Sequence, residues 1–169
     1  MSILTRDEIL LEIKKKNLLI SPFDQKAVGP ASVNLTLGEE FRVFDYDKPI
    51  PVVERVDLAK YTKTIHTKKP FVFASRSYIL GITKEKITLP LDICGWLGGR
   101  SRFARLGLMI HITAAFVQPG CSNRQVLELY NASPCTLFLT PGEKICQIMF
   151  ERCEGTAQYQ GKYRRQAHV

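Results

Sequence analysis

The chain has 169 residues, enough for one domain with its own core. Hydrophobic residues make up 45% and charged residues 24%, which excludes a disordered or fibrous chain, and no apolar run reaches the length of a membrane span. Lysine and arginine outnumber acidic residues 24 to 16, and this net charge of +8 favours anionic partners without choosing among nucleotide, nucleic acid and acidic surface.

The first residues lack the arrangement of a signal peptide, and a soluble, cytoplasmic protein is expected. Five cysteines (Cys94, Cys121, Cys135, Cys146 and Cys153) form no Cys-x-x-Cys pair. Their odd number argues against a complete disulfide framework, so buried free thiols are expected. His66 and His168 have no clear ligand set and His111 stands alone, so neither a zinc site nor a Ser/His/Asp triad is built on them.

Taken in order, Thr5-Arg6-Asp7-Glu8 reads as a capping box, followed by Ile9, Leu10 and Ile13 at helical spacing. A short helix to about Lys16 is predicted. Ser21-Pro22 and Gly29-Pro30 punctuate the next stretch of chain. Val33, Leu35 and Leu37 then alternate with polar residues in a strand predicted over 31–37 and closed by Gly38. Further strands are predicted at 41–44, 71–73, 78–82, 93–97, 108–113, 126–130, 136–139 and 145–150, separated by Pro70, Pro90, Pro119-Gly120, Pro134 and Pro141-Gly142. Residues 100–106 have room for one helical turn. Many short strands with a token of helix describe a mostly β barrel or sandwich. The domain is assigned to 1–155. The tail, 156–169, is polar and basic with two tyrosines, and is expected to be mobile by itself and to order over an anionic ligand.

One carboxylate sits in apolar company. In Val126-Leu127-Glu128-Leu129-Tyr130, strand alternation puts the leucines on one face and Val126, Glu128 and Tyr130 on the other. Two readings stay open: a carboxylate on a solvated face or in an ion pair, or a partly desolvated general base with its pKa moved toward neutrality. Upstream, Gly98-Gly99-Arg100-Ser101-Arg102-Phe103-Ala104-Arg105 offers guanidinium forks, a hydroxyl and close backbone approach, all suited to phosphate. It matches neither the phosphate-loop nor the dinucleotide signature, and a nucleic-acid surface remains an alternative.

These segments together resemble the dCTP deaminase branch of the dUTPase-like superfamily. The resemblance rests on Gly99 through Leu108, His111-Ile112-Thr113-Ala114, Pro119-Gly120, 126–131, 141–150 and Tyr159-Gln160-Gly161-Lys162-Tyr163, with Pro30 through Gly38 at the N-terminal end. It implies a distorted β-barrel, jelly-roll-like subunit in a homotrimer with sites between subunits. It also implies hydrolysis of dCTP to dUTP and ammonia without zinc, in contrast to the zinc deaminases. On this resemblance Glu128 activates the water, while Ser101 and Arg105 place water and substrate. Arg100 meets the triphosphate, with Arg102 beside it. Ala114, Gln118 and Val126 belong to the base and sugar pocket, and Tyr159, Lys162 and Gln166 to the closing tail. Mg2+ on the triphosphate is the implied cofactor; nucleic acid and membrane are not expected partners.

The chain departs from the family pattern. Arg102 stands where a serine is usual, Gln118 where an aspartate is, Cys121 where a tryptophan is frequent, and Asn34 in place of an aspartate. Arg164-Arg165-Gln166 replaces a Gln-Gly-Gln stretch. Gln118 bonds to a hydroxyl but cannot serve as a base, which speaks against a combined deaminase–diphosphatase. A dUTPase-type diphosphatase and a noncatalytic nucleotide-binding trimer are the alternatives.

Overall fold

Helix α1 (Arg6–Lys14) begins after Thr5, but the Thr5 side chain makes no capping bond, so the predicted capping box is not formed. Asp7 and Glu8 in the first turn and Lys14 in the last instead complement the helix dipole. The helix ends slightly early, and Lys16 turns to a φ of 59°. Fully buried Ile9 docks α1 on the core, and buried Glu12 accepts from Arg152 at 2.7 Å. Residues 2–45 and 47–169 are described in this computed structural model.

Eleven strands follow among the described residues: β1 (Leu19–Ser21), β2 (Val33–Phe44), β3 (Thr62–His66), β4 (Phe71–Phe73), β5 (Tyr78–Thr88), β6 (Ile93–Gly99), β7 (Leu108–Met109), β8 (Phe116–Val117), β9 (Ser122–Asn131), β10 (Leu137–Leu139) and β11 (Lys144–Arg152). A four-residue helix, α2 (Ser101–Ala104), fills the predicted helical turn. Nine strands make one curled, open sheet in the order β7-β9-β5-β2-β11-β6-β8, with β1 on β5 and β3 on β2. β4 and β10 pair separately. The mostly β, jelly-roll-like fold with a short N-terminal helix is therefore the one expected from the sequence.

β2 joins the two halves of the sheet. Its first residues pair with β11, and its second half pairs with β5 and β3. Gly38 does not close the strand as predicted: a Cβ there would lie 2.8 Å from both Arg124 Nη2 and the Ile82 carbonyl, so glycine permits close approach in mid-strand. The strand predicted over 108–113 stops at Met109, because the next residues leave the sheet for a loop directed at β9. β1, β3 and β8 were not anticipated; they are short, and the exposed Thr62–His66 offers little alternation.

Leu35, Phe41, Leu127, Leu129, Ile148 and Phe150 fill the space enclosed by the sheet. Along β9 every second residue is buried, so Leu127 and Leu129 enter the core while Val126, Glu128 and Tyr130 share the outer, half-buried face. Cys94, Cys121 and Cys146 are buried as expected, Cys153 is half-buried, and Cys135 is exposed; all five are free thiols. Burial pushes the Cys94 thiol up to about 11, with Cys153 beside it adding to the shift. No helix among the described residues is long and apolar enough to cross a membrane.

Candidate active site

Glu128 is gripped by the loop that follows β7. The Ile112 amide donates to Oε2 at 3.0 Å, the Thr113 amide at 2.7 Å, and the Thr113 hydroxyl lies 3.0 Å from both carboxylate oxygens. Burial pushes the Glu128 pKa up, but the Thr113 and Ile112 bonds and the nearby His111 outweigh it and hold the carboxyl below its usual value. This corrects the expectation of a pKa moved toward neutrality. A strand carboxylate between leucines suggests desolvation, but its hydrogen-bond donors come from 15 and 16 residues away.

His111 does not stand alone. Its Nδ1 accepts from the Glu128 amide at 3.4 Å, and its ring lines the same cleft.

The cleft has a volume of about 430 Å³. It brings together Glu128, Ala114, Gln118, Val126, Tyr159 and Gln166, six of the residues predicted for the site. Cys121 also lines it, with a thiol pushed up by burial. The tail forms one wall. The Tyr163 carbonyl accepts from Asn123 Nδ2 at 2.8 Å, and the Gln166 carbonyl accepts from the Arg124 amide at 3.0 Å. Farther on, buried Glu40 accepts from the Val169 amide at 2.9 Å, and its Oε2 lies 2.9 Å from His168 Nδ1. Lys162 sits at a neighbouring cavity, its Nζ 5.6 Å from the centre of the Tyr163 ring.

The arginine–serine turn is elsewhere. Arg100 donates to the Lys144 carbonyl, and its guanidinium lies 5.9 Å from the Phe103 ring centre. Ser101, Arg102 and Arg105 are exposed on and just after α2, and none of the four lines the cleft. One chain thus gathers Glu128, Ala114, Gln118, Val126 and part of the tail, but not the arginine–serine turn. Within its own chain Glu128 is met by the backbone amides of Ile112 and Thr113 rather than by the arginine side chains.

Thr113, Asn123, Arg124 and Tyr163 were not singled out as site residues. Thr113 stood inside the family-like block 111–114, which was the available signal. The tail contacts of Tyr163 and Gln166 run through main-chain carbonyls and leave no trace in residue type.

Residues 3–153 match the sequence profile of the family described as dCTP deaminase-like. A dCTP deaminase of Marinomonas sp. (strain MWYL1) is 37% identical over 162 residues, covering 89% of this chain and 83% of its own. A dCTP deaminase of Buchnera aphidicola subsp. Schizaphis graminum is 38% identical over 93% of this chain and 90% of its own. A "dCTP deaminase, dUMP-forming" of Leifsonia xyli subsp. xyli is 34% identical over 97% of this chain and 86% of its own. Among solved structures, the 2'-deoxycytidine 5'-triphosphate deaminase of Agrobacterium tumefaciens aligns with a TM-score of 0.71 at 21% identity, a likeness of fold. That alignment covers 90% of this chain and 48% of the Agrobacterium protein, so the chain spans about half of that protein's length. By profile and by these relatives, the chain belongs to the dCTP deaminase-like family.

Proposed function

We propose that this protein hydrolyses dCTP to dUTP and ammonia with a water activated by Glu128. The observation that carries this reading is a half-buried carboxylate, held by three donors, at the wall of a cleft large enough for a nucleoside. Its lowered pKa keeps it ionised near neutral pH, ready to accept a proton. Water attacks C4 of the cytosine while Glu128 takes its proton. The same proton passes to the exocyclic nitrogen, the C4–N bond breaks as the C4 carbonyl forms, ammonia leaves, and the remaining proton of the attacking water moves to N3.

Ser101, Arg100, Arg102 and Arg105 lie outside the cleft of their own chain, which supports a homotrimer in which a neighbour's arginine turn meets the triphosphate. Lys162, Tyr159 and Gln166 then close the site from the tail. Among the described residues no group of three or more His, Cys, Asp or Glu side chains is placed to hold a metal ion. Mg2+ would be carried by the triphosphate oxygens and water. A cytoplasmic enzyme of nucleotide metabolism fits this substrate.

The deciding experiment incubates the pure protein with dCTP or dUTP and magnesium while ammonia and pyrophosphate are followed. Ammonia from dCTP without pyrophosphate is expected. Pyrophosphate release would favour a second reading, dUMP formation, to which the name of the Leifsonia relative points. Nucleotide binding with neither product would overturn the enzyme reading, and a monomeric mass at working concentration would remove the shared site.

A further inference from the structure

Two buried side-chain nitrogens among the described residues lack a hydrogen-bond partner: Arg42 Nε and His111 Nε2. Buried polar atoms are nearly always partnered, so each calls for an acceptor. Both residues line adjoining cavities. His111 is on the Glu128 cleft, and Arg42 is on a cavity of about 690 Å³ that shares Leu58, Tyr163, Gln166 and Val169 with it.

Sheet register explains the adjacency. Arg42 pairs with Leu80, and Leu80 pairs with Glu128, so the three residues lie in line on one face. Two strand spacings separate Arg42 from Glu128, about 10 Å.

Three cations, Arg42, Arg55 and Lys162, line the second cavity together with Glu54 and Asp57. Asp57 already accepts from the Ala59 amide at 3.2 Å. None of the three cations belongs to an ion pair among the described residues. A guanidinium whose Nε is buried and unpartnered is suited to phosphoryl oxygens, which accept from its planar fork.

We propose that Arg42, with Arg55 and Lys162, seats a phosphoryl group in the cavity beside the Glu128 cleft. The inference rests on the reading that the cleft takes a nucleotide. The phosphoryl group comes either from that nucleotide's own triphosphate or from a second phosphate-bearing ligand.

Isothermal titration of inorganic tripolyphosphate into the full chain tests the seat. R42Q and R55Q are each expected to weaken binding about tenfold or more, with R42K intermediate. Repeating the titration on E128Q saturated with dCTP separates the two sources. Loss of tripolyphosphate binding assigns the seat to the substrate's phosphates, and retained binding assigns it to a second ligand. Wild-type affinity in R42Q with an unchanged melting curve overturns the proposal, as does a wild-type protein that does not bind tripolyphosphate. Should R42Q fail to fold, R55Q takes its place, and wild-type affinity there overturns the proposal equally. The deaminase reading fails separately, on absent ammonia, and these titrations do not depend on turnover.

Discussion

Thr113 holds Glu128 with two groups at once, its amide at 2.7 Å from Oε2 and its hydroxyl at 3.0 Å from both oxygens. The hydroxyl contact is the part that mutation can remove without altering the backbone. Thr113→Val keeps the shape of the side chain and deletes the donor. Burial is then less opposed, so the Glu128 pKa rises and the acid limb of ammonia release moves to higher pH. A pH–rate profile checks this, and an unmoved limb would detach Thr113 from the base. The stability consequence has a definite sign. A carboxyl lowered on folding stabilises the protein above its unfolded pKa, and that contribution is lost as pH falls through the folded pKa. T113V should therefore flatten the acid side of the stability curve.

Replacing the carboxylate itself separates binding from chemistry. Glu128→Gln retains the hydrogen-bonding outline but cannot take a proton from water. Ammonia release should fall by about a thousandfold while dCTP affinity holds. Unchanged turnover would remove Glu128 from its role.

The tail is anchored on Glu40. Burial pushes the Glu40 pKa up, but bonds from His168 and the Val169 amide prevail and hold it below its usual value. The anchor is thus intact above the ordinary carboxylate range and is lost as pH falls through the lowered pKa. Glu40→Gln is expected to speed amide hydrogen exchange across 163–169 at neutral pH without affecting the core strands. Equal exchange in the two proteins would show that the tail is held from elsewhere.

Gly107 links the arginine turn to β7 with a φ of +80°, and a Cβ there would lie 2.8 Å from the Ser133 amide nitrogen. Both conditions exclude a side chain. Gly107→Ala should cost about 1–3 kcal/mol from backbone strain. The contact with Ser133 adds to that cost, and the melting temperature should drop by about 5 °C or more. A calorimetric scan checks this; an unchanged midpoint would mean the turn relaxes freely.

Legibility in the sequence followed the range of the interaction. The alternation of Leu127 and Leu129 around Glu128 is local, and it assigned the carboxylate to the correct face. The grip of Ile112 and Thr113 depends on backbone amides brought in from another part of the chain, which no side-chain pattern announces. Gly38 looked like a strand end because glycine often is one, whereas here it makes room for Arg124. His111 appeared isolated because its partner is the main chain of Glu128. Arg42 was unremarkable inside Phe41-Arg42-Val43-Phe44, and only pairing across two strands placed it in line with Glu128.

The alternation of β9 also limits how this strand can change length. A single inserted residue ahead of Glu128 that carried the downstream pairing along would invert every position after it. The leucines would turn outward and the carboxylate would enter the apolar interior, far from Thr113. Insertions and deletions are therefore expected to be tolerated in the exposed stretch 154–156, outside the sheet, and not within Ser122–Asn131.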